Sequence, residues 1–281
     1  MTSPQLRFAP SPNGRLHLGH AYSALFTADG AARLGGRFLL RIEDIDLARC
    51  KPEFTEAILE DLKWLGLSWP EPVMRQSERF ALYAGFGARL KGMNLLYPCF
   101  CSRSEIAAAA QGTDPDGAPL YPGTCSHLTD AAVRERLDQG QLPQWRLNSE
   151  AAIAFAGLLS YRQAQPTPEQ PDVEIAARPE RWGDVVLQRR DTPTSYHLSV
   201  VVDDEAQGIT HVTRGRDMEA ATDIHVLLQA LLEFSTPVYT FHELLLDDEG
   251  RKLAKSRGSQ SIADLRAEAW TAEGVRGRLG F

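Results

Sequence analysis

Long hydrophobic runs are missing from this sequence of 281 residues: it has no apolar stretch of about 18 residues or more, which excludes a transmembrane helix. The N-terminus has no basic flank followed by an apolar segment, so it shows no secretory signal. Cysteine is scarce, at four residues. Together these absences predict a cytoplasmic location, with the cysteines present as reduced thiols or metal ligands rather than as disulfides.

An excess of positive charge is missing as well, because the formal net charge is −7. This argues against a protein that coats nucleic acid without specificity. The positive charge that exists lies at the two ends. Residues 1–51 hold seven Lys and Arg against four Asp and Glu, and residues 251–281 hold seven against three. The pattern is either ordinary fluctuation or a sign that the two ends handle phosphates.

The hydrophobic pattern near the N-terminus predicts alternating strands and helices. Two segments are typical of buried strands, QLRFAP and RFLLRIEDID, and two are typical of helices, HAYSALFTADGAARLGG and PEFTEAILEDLKWLG. A further helix is predicted at about Glu78–Lys91. This order predicts an α/β fold with a doubly wound parallel sheet, in which ligands bind beyond the carboxyl ends of the strands.

The segment FAPSPNGRLHLGH lies at that edge, between the first strand and the first helix. His17 and His20 are three residues apart and face the same way on a first helical turn. Gly19 removes a side chain where a flat ring could lie against the backbone. The helix start and two imidazoles could donate hydrogen bonds to phosphate oxygens. The alternative is that both histidines are partly exposed residues without a function.

A second candidate element is RKLAKSRG, from Arg251 to Gly258, predicted as a loop after a hairpin-like strand with an Asp-Asp-Glu-Gly turn. Its small residues let the backbone bend, and Lys252 and Lys255 can reach phosphates as mobile charges. Basic loops are common, so this element gains its meaning only beside the histidine element.

Together the two elements resemble those of the class I aminoacyl-tRNA synthetases, with HLGH in place of their HIGH motif and KLAKS in place of KMSKS. More narrowly, the sequence is similar to glutamyl-tRNA synthetase in four blocks that occur in the family's order: RFAPSPNGRLHLGHAYSALF, LLRIEDID, VVVDDEAQGITHVTRG and KLAKS. Leu253 and Ala254 depart from the motif's Met and Ser but keep the loop small.

The resemblance implies a mechanism. ATP, accompanied by Mg²⁺, reacts with an amino acid whose carboxylate attacks the α-phosphate, giving an aminoacyl-adenylate and pyrophosphate. It implies that His17, Gly19, His20, Lys252 and Lys255 bind ATP, and that the two histidines and Lys255 are catalytic. No protein nucleophile is needed, so positioning and charge stabilisation carry the catalysis.

The resemblance also suggests a domain organisation. A Rossmann-type catalytic domain would occupy residues 1–96 and 129–240, the second part including an acceptor-like subdomain. Residues 97–128, rich in cysteine, proline and glycine, would form a small zinc-binding insert. Residues 241–281 would contain the KLAKS loop and a helical tail, without an anticodon-binding domain.

A site for glutamate needs cations for its side-chain carboxylate and an anion for its ammonium group. Arg7 and Arg214 offer guanidinium groups, Glu43 offers the opposite charge, and Tyr196 can add a hydroxyl. On chemistry alone each could instead belong to a surface ion pair. By resemblance these residues bind glutamate together with the wall that follows Arg7, namely Phe8, Ala9, Pro10 and Ser11.

The insert holds Cys99, Cys101 and Cys125, a cluster that suggests one structural Zn²⁺ or, alternatively, small buried thiols. The chemistry of common ligands favours His127 as the fourth ligand, whereas the resemblance favours Tyr121 through the pattern YPGTC. We predict Tyr121, with His127 in reserve. Cys50 lies far away in the sequence and is expected to take no part.

The shortness of the chain after KLAKS makes it resemble the short paralogues of glutamyl-tRNA synthetase. These activate glutamate without tRNA and attach it to queuosine in the anticodon of tRNA(Asp). The expected partners are therefore L-glutamate and the anticodon stem-loop of that tRNA, bound by a monomer. Three alternatives remain open: a truncated synthetase that charges the tRNA acceptor end, a nucleotidylyltransferase acting on a small molecule, and a catalytically silent tRNA-binding relative.

Overall fold

A computed structural model describes residues 3–165, 170–246 and 260–281 of the chain. Within these residues the strands are β1 (Gln5–Phe8), β2 (Arg37–Ile42), β3 (Met74–Arg75), β4 (Leu96–Cys99), β5 (Gln144–Leu147), β6 (Ser160–Gln163), β7 (Val173–Ala176), β8 (Val186–Gln188), β9 (His211–Gly215) and β10 (Val238–His242). The α-helices are α1 (Leu18–Arg33), α2 (Pro52–Trp64), α3 (Phe80–Gly92), α4 (Arg103–Ala109), α5 (Asp130–Asp138), α6 (Ser149–Ala156), α7 (Tyr196–Ala206), α8 (Thr222–Leu232), α9 (Ile262–Ala267) and α10 (Ala272–Leu279).

Parallel strand pairs form the centre of the fold. β1 pairs with β2, and β2 pairs with β3, both in parallel. β9 pairs with β10 and β10 with β6, also in parallel, while β7 is antiparallel to β6 at the edge. The two sheets meet where the amide of Thr210 donates to the carbonyl of Gln5 at 3.0 Å. The predicted α/β fold with a parallel sheet is therefore confirmed.

The helices next to this sheet form because their apolar residues repeat at helical spacing. In α1 the small residues Ala21, Ala24 and Ala31 are buried, which lets the helix lie close to the strands. α2 has Pro52 in its first turn, where no helical hydrogen bond is lost. α8 is different, since all but Ala230 of its residues are buried. A helix buried on every side belongs to the interior, and its polar residues need partners there.

A separate antiparallel sheet carries the cysteine-rich region. Its order is β4-β5-β8, with β5 in the centre. The boundary predicted between residues 96 and 97 falls at the start of β4, and the one between residues 128 and 129 falls just before α5. The division of the chain into four segments stays a prediction.

The other predicted elements have clear counterparts. The helix expected at about Glu78–Lys91 is α3, preceded by a short 3₁₀ helix at Gln76–Arg79. The hairpin turn and the loop with Lys252 and Lys255 lie outside the described residues. In the part of the chain that the structure describes, no helix has both the length and the apolar character needed to cross a bilayer.

Candidate active site

A cleft of about 890 Å³ opens at the carboxyl ends of the parallel strands. The predicted wall Phe8–Ser11 forms one side, directly after β1. His17, Gly19 and His20 form the floor at the start of α1, and Gly215 and His242 contribute from the ends of β9 and β10. The wall is tied to β2 because the amide of Glu43 donates to the carbonyl of Pro10 at 3.0 Å. The sheet thus brings the predicted ATP residues of this region into one cavity.

The two histidines cap α1 with their own side chains. His17 Nδ1 accepts a hydrogen bond from the amide of Gly19 at 3.1 Å, and His20 Nδ1 accepts one from the amide of His17 at 3.2 Å. Their ring centroids lie 3.8 Å apart, so the two imidazoles share a face as predicted. In a neutral imidazole whose Nδ1 accepts, the proton is on Nε2. The capping arrangement therefore makes Nε2 of each ring a hydrogen-bond donor.

Gly19 makes this arrangement possible. A Cβ at this position would lie 3.0 Å from His17 Cε1 and 3.1 Å from its Nδ1. The ring of His17 thus lies against the backbone of Gly19, which confirms the reason given for the glycine in the sequence.

The predicted cation Arg7 lies in a buried network of paired charges. Its Nε donates to Asp204 Oδ1 at 2.8 Å, and Arg41 Nη1 donates to the same oxygen at 2.8 Å. Arg41 Nη2 also donates to Glu43 at 3.0 Å. Burial raises the pKa of Glu43, while Arg41 and Arg7 oppose that rise. Arg7 and Glu43 are close together as expected, but each already has a partner of opposite charge.

Arg214 is in a different electrostatic situation. It is only 7% exposed, and its Nη1 and Nη2 both lie 3.2 Å from His225 Nδ1. Its guanidinium also lies over the ring of Tyr239, 5.2 Å from the centroid. No carboxylate in the described part of the chain pairs with it. A buried guanidinium without a carboxylate is costly unless an anion binds there.

The pKa of Tyr196 responds to the other residues that are predicted to bind the substrate glutamate. Burial raises its pKa to about 12; Arg214 and Arg7 oppose this rise, and Glu43 adds to it. The charges of Arg214, Glu43 and Arg7 therefore all lie near enough to Tyr196 to act on its hydroxyl. The structure therefore brings together four residues from different parts of the sequence, namely Arg7, Glu43, Tyr196 and Arg214.

The sequence did not single out several residues of this region. Asp204 and Arg41 complete the ion-pair network, and His197 and His225 lie behind Arg214 and Tyr196. A signal was present for two of them. Asp204 ends an apolar run in α7, and His225 stands between Ile and Val in α8, both positions where a polar group needs a buried partner.

The chain returns to the histidines directly after the lysine loop. The amide of Ile262 donates to the carbonyl of Leu16 at 2.9 Å, and Ser261 forms a β-bridge with His17. On the other side of the loop, Leu245 lines the cleft. Both described flanks of the segment with Lys252 and Lys255 thus lie beside the cleft.

The three cysteines of the predicted insert form a compact cluster. The sulfur atoms of Cys99, Cys101 and Cys125 all lie within 4.8 Å of one another. The hydroxyl of Tyr121 lies 3.4 Å from Cys99 Sγ and 3.7 Å from Cys101 Sγ. His127 is exposed and is not among the His, Cys, Asp and Glu residues grouped there in the described chain. The geometry favours Tyr121 over His127 as the fourth ligand.

This donor set fits a structural zinc ion. Cys101 Sγ and Cys125 Sγ are 3.5 Å apart, near the separation of about 3.8 Å that tetrahedral Zn–S bonds require. Burial raises the pKa of Cys99, but Tyr121 and Arg146 outweigh it and lower that pKa to about 7. Burial and the neighbouring Cys125 raise the pKa of Cys101 to about 11. Ionisation of Cys101 at neutral pH therefore calls for a cation beside its sulfur atom.

The comparison with known families agrees with this geometry. The model described as tRNA synthetases class I (E and Q), catalytic domain, matches residues 5–274. The chain belongs to this family. As a member of the class I tRNA synthetases, it is a ligase-type enzyme whose domain implies ATP and Mg²⁺.

Among curated proteins, this synthetase domain is similar to a glutamyl-Q tRNA(Asp) synthetase from Rhodobacter capsulatus, with 45% identity over 98% of this chain and 99% of the relative. A protein of the same name from Symbiobacterium thermophilum is 41% identical over 98% of this chain and 85% of its own length. Glutamate--tRNA ligase 2 from Alkalilimnicola ehrlichii is 35% identical over 98% of this chain but only 57% of its own length.

Solved structures resemble the synthetase domain as well. A glutamate tRNA ligase from Elizabethkingia meningosepticum, in complex with its amino acid, superimposes with a TM-score of 0.71 and 27% identity. Glutamate-tRNA synthetase from Elizabethkingia anophelis gives 0.74 and 27%. In both comparisons 92% of this chain is covered, and the chain spans about half of the solved one, 53%.

Proposed function

We propose that this synthetase activates L-glutamate with ATP and transfers the glutamyl group to the queuosine base in the anticodon of tRNA(Asp). The relatives from Rhodobacter capsulatus and Symbiobacterium thermophilum, which carry the name glutamyl-Q tRNA(Asp) synthetase, support the choice of tRNA. The buried charges behind the cleft support the choice of amino acid.

The single observation that carries the glutamate assignment is the state of Arg214. This guanidinium is buried and has no carboxylate partner among the described residues. A side-chain carboxylate of the substrate would neutralise it and form charge-assisted hydrogen bonds. Arg7 contributes a second positive charge near Tyr196, and Glu43 receives the substrate ammonium. The wall Phe8–Ser11 closes the cavity against the nucleotide.

ATP binds in the cleft over the start of α1. The Nε2–H donors of His17 and His20 face the phosphates, and Gly19 keeps the His17 ring in place. Lys252 and Lys255 lie outside the described residues, but the flanks of their segment adjoin the cleft. We assign both lysines to the phosphates, with Lys255 stabilising the charge that develops in the transition state. Mg²⁺ neutralises part of the phosphate charge when bound.

The chemistry follows from this placement. An oxygen of the substrate α-carboxylate attacks the α-phosphorus of ATP, and the bond to the bridging oxygen of the β-phosphate breaks. Pyrophosphate leaves with that electron pair, and glutamyl-adenylate remains. A hydroxyl of the acceptor then attacks the activated carbonyl, the bond between that carbon and the phosphate oxygen breaks, AMP leaves with the electron pair, and the hydroxyl proton is released. Hydrogen bonds from His17 and His20 stabilise the negative charge that accumulates on the phosphate oxygens in the transition state.

We also propose one structural Zn²⁺ held by Cys99, Cys101, Tyr121 and Cys125. The ion would fix the end of β4 to the loop around Cys125. Arg146 lies over the Tyr121 ring, 3.8 Å from its centroid, and orients the phenol from behind. The proposed ion therefore holds this region together and takes no part in the reaction.

Glutamate-dependent exchange of pyrophosphate into ATP, measured without tRNA, tests the first half of the proposal. We expect exchange with glutamate and much weaker exchange with other amino acids, glutamine included. Exchange in the absence of glutamate would indicate a nucleotidylyltransferase of another kind, and no exchange at all would indicate a silent relative.

The acceptor is tested with radiolabelled glutamate and tRNA(Asp) that either contains or lacks queuosine. We expect incorporation only into the queuosine-containing tRNA. The similarity to the glutamate–tRNA ligase from Alkalilimnicola ehrlichii favours charging of the acceptor end as the second candidate. Equal incorporation into both tRNAs, lost on oxidation of the terminal ribose, would establish that alternative. The monomeric state and the cytoplasmic location stay predictions from the sequence.

A further inference from the structure

Two histidines next to the proposed glutamate-binding residues, His197 and His225, have no part in the mechanism above. His225 lies in α8 and is 1% exposed; His197 lies in the first turn of α7 and is partly buried. His225 Nε2 is 3.3 Å from His197 Nδ1, and His225 Nδ1 is 3.2 Å from both terminal nitrogens of Arg214. The three side chains therefore form one hydrogen-bonded row.

The direction of this row follows from the chemistry of its first member. A guanidinium can only donate, so Nδ1 of His225 must accept from Arg214. The ring of His225 then carries its proton on Nε2 and donates it to His197 Nδ1. Burial and the neighbouring Arg214 lower the pKa of both histidines, that of His197 to about 4, so both rings are neutral at pH 7.

The row also determines which edge of Arg214 can meet a substrate. The edge formed by Nη1 and Nη2 points at His225, and Nη1 additionally reaches the carbonyl of Met218 at 3.4 Å. The edge formed by Nε and Nη2 is the one left for a carboxylate, which it can bind with two parallel hydrogen bonds. A rotation of the guanidinium would lose this alignment.

The same pair supports a second predicted substrate contact. The ring of Tyr196 lies 5.5 Å from the His197 ring and 5.5 Å from the His225 ring, measured between centroids. Trp182 also packs against His197, with 5.6 Å between the ring centroids. The rings of His197 and His225 thus pack with Trp182 on one hand and with Tyr196 on the other, and His225 also contacts Arg214.

We propose that His225, held by His197, is a positioning residue that orients Arg214 and leaves its charge uncompensated, so that the site selects glutamate over glutamine. This inference rests on the proposed function, since it names the groups behind the glutamate site. The neutrality of the acceptor is essential to it. A carboxylate in the place of His225 would orient Arg214 equally well but would cancel the charge that glutamate needs.

Three variants separate orientation from charge: His225→Asn, His225→Asp and His225→Leu. The Asn side chain places a neutral acceptor oxygen near the position of Nδ1, Asp places a charged one there with the same shape, and Leu places none. Steady-state KM and kcat for glutamate, glutamine and ATP are measured by pyrophosphate exchange, and thermal unfolding of each variant checks that it folds.

We expect His225→Asn to keep the KM for glutamate within about threefold of wild type, because it conserves the hydrogen bond to Arg214. His225→Leu should raise that KM roughly ten- to a hundredfold, the effect of losing a hydrogen bond to a charged group, with the KM for ATP unchanged. His225→Asp should raise the KM for glutamate at least as much. It should leave exchange with glutamine no weaker than in wild type, so that the preference for glutamate falls.

The proposal is overturned if folded His225→Asp keeps the glutamate preference of wild type, or if His225→Asn is as impaired as His225→Leu. A parallel rise of the KM values for ATP and glutamate would show general damage to the fold and would also overturn it. If His225→Leu does not fold, the comparison of Asn with Asp decides alone. Failure of the proposed function itself looks different, because wild type would then show no glutamate-dependent exchange.

Discussion

Arg7 and Asp204 form a buried ion pair with two contacts, Nε to Oδ1 at 2.8 Å and Nη2 to Oδ2 at 3.2 Å. Burial opposes the ionisation of Asp204, but Arg7 and Arg41 outweigh it and hold the pKa of this carboxyl below its ordinary value. Arg41 extends the pair to Glu43, which makes two arginines and two carboxylates. Arg7 therefore stabilises the fold in addition to its proposed contact with glutamate.

The first prediction concerns stability. Arg7→Met should lower the free energy of unfolding by about 3–5 kcal/mol, because Asp204 loses one of its two cations in a buried site. Arg33→Met is the matched control, since Arg33 pairs with Asp29 at the surface and is 65% exposed. That variant should lose less than about 1 kcal/mol. Urea denaturation measures both, and equal losses would mean that the Arg7 pair adds no more than a surface pair.

The second prediction concerns Arg214, whose removal should affect activity more than stability. Arg214→Met should reduce glutamate-dependent exchange about a hundredfold, the effect of losing charge-assisted hydrogen bonds to the substrate. Its free energy of unfolding should fall by less than the roughly 3–5 kcal/mol expected for Arg7→Met, because removal of a buried charge without a carboxylate offsets the hydrogen bond lost by His225. Exchange kinetics and urea denaturation of the same preparation check the two halves.

The control for Arg214 lies two residues further along the chain. Arg216 is exposed and forms ion pairs with Glu219 and Glu243. Arg216→Met should keep glutamate-dependent exchange within about twofold, because exposed pairs contribute little. A large loss of stability in Arg214→Met would contradict the picture of an uncompensated charge.

The third prediction concerns the glycine under His17. Gly19→Ala should impair exchange by raising the KM for ATP or lowering kcat, since its Cβ would lie 3.0 Å from His17 Cε1 and push the ring away. Gly30→Ala is the control in the same helix, where the nearest atom, Leu6 Cδ2, is 3.4 Å away. We expect Gly30→Ala to keep full activity and to gain up to about 1 kcal/mol of stability from helix propensity. Equal activities of the two variants would mean that His17 does not need its present position.

The local parts of this site were accessible from the sequence, whereas its long-range pairings were not. His17, Gly19 and His20 lie within one helical turn, so their spacing alone predicts a shared face and a reason for the glycine. The pairing of Arg7 with Asp204 joins positions separated by 197 residues. No local pattern encodes such a contact, because it depends on how the sheet places α7 beside β1.

The hydrogen-bond partner of Arg214 could not be predicted from the sequence either. The chemistry of a guanidinium and the family resemblance indicated a carboxylate-binding role. Its partner His225 lies in α8, among apolar residues that the sequence predicts to be part of the core. The sequence therefore does not indicate which group pairs with Arg214. The proposed fourth zinc ligand is a similar case. Ligand chemistry favoured His127 and the resemblance favoured Tyr121, and the folded loop places the Tyr121 hydroxyl beside the sulfur atoms.

The fourth prediction concerns the metal. Wild-type protein purified without chelators should contain about one zinc ion per chain, and Cys101→Ser and Tyr121→Phe should contain less, because each removes a ligand from a closed site. Cys50→Ser and His127→Ala should keep the metal, since neither residue belongs to the cluster. Elemental analysis after dialysis measures the content. Loss of metal in His127→Ala together with full content in Tyr121→Phe would replace the proposed ligand set.

The last prediction uses the buried His197 as a source of pH dependence. Burial and Arg214 lower its pKa from 6.5 to about 4. Between these two pH values the unfolded chain binds a proton that the folded chain excludes, so the free energy of unfolding falls as the pH falls. Above pH 6.5 both states are neutral at this residue and its contribution is constant.

The carboxyl group of Asp61 titrates in the same range, because burial raises its pKa to about 6. Its effect on the free energy of unfolding is opposite to that of His197, since the folded chain binds this proton more readily than the unfolded chain does. The test is therefore the difference between wild type and His197→Gln, measured by urea denaturation from pH 7.5 to pH 4.5. Because the variant cannot titrate at this position, wild type should lose stability relative to it by up to about 1.4 kcal/mol per pH unit below pH 6.5. His127→Gln, a change at an exposed histidine, should show much less of this trend. A constant difference between wild type and His197→Gln over the whole range would mean that His197 titrates alike in the folded and unfolded chains.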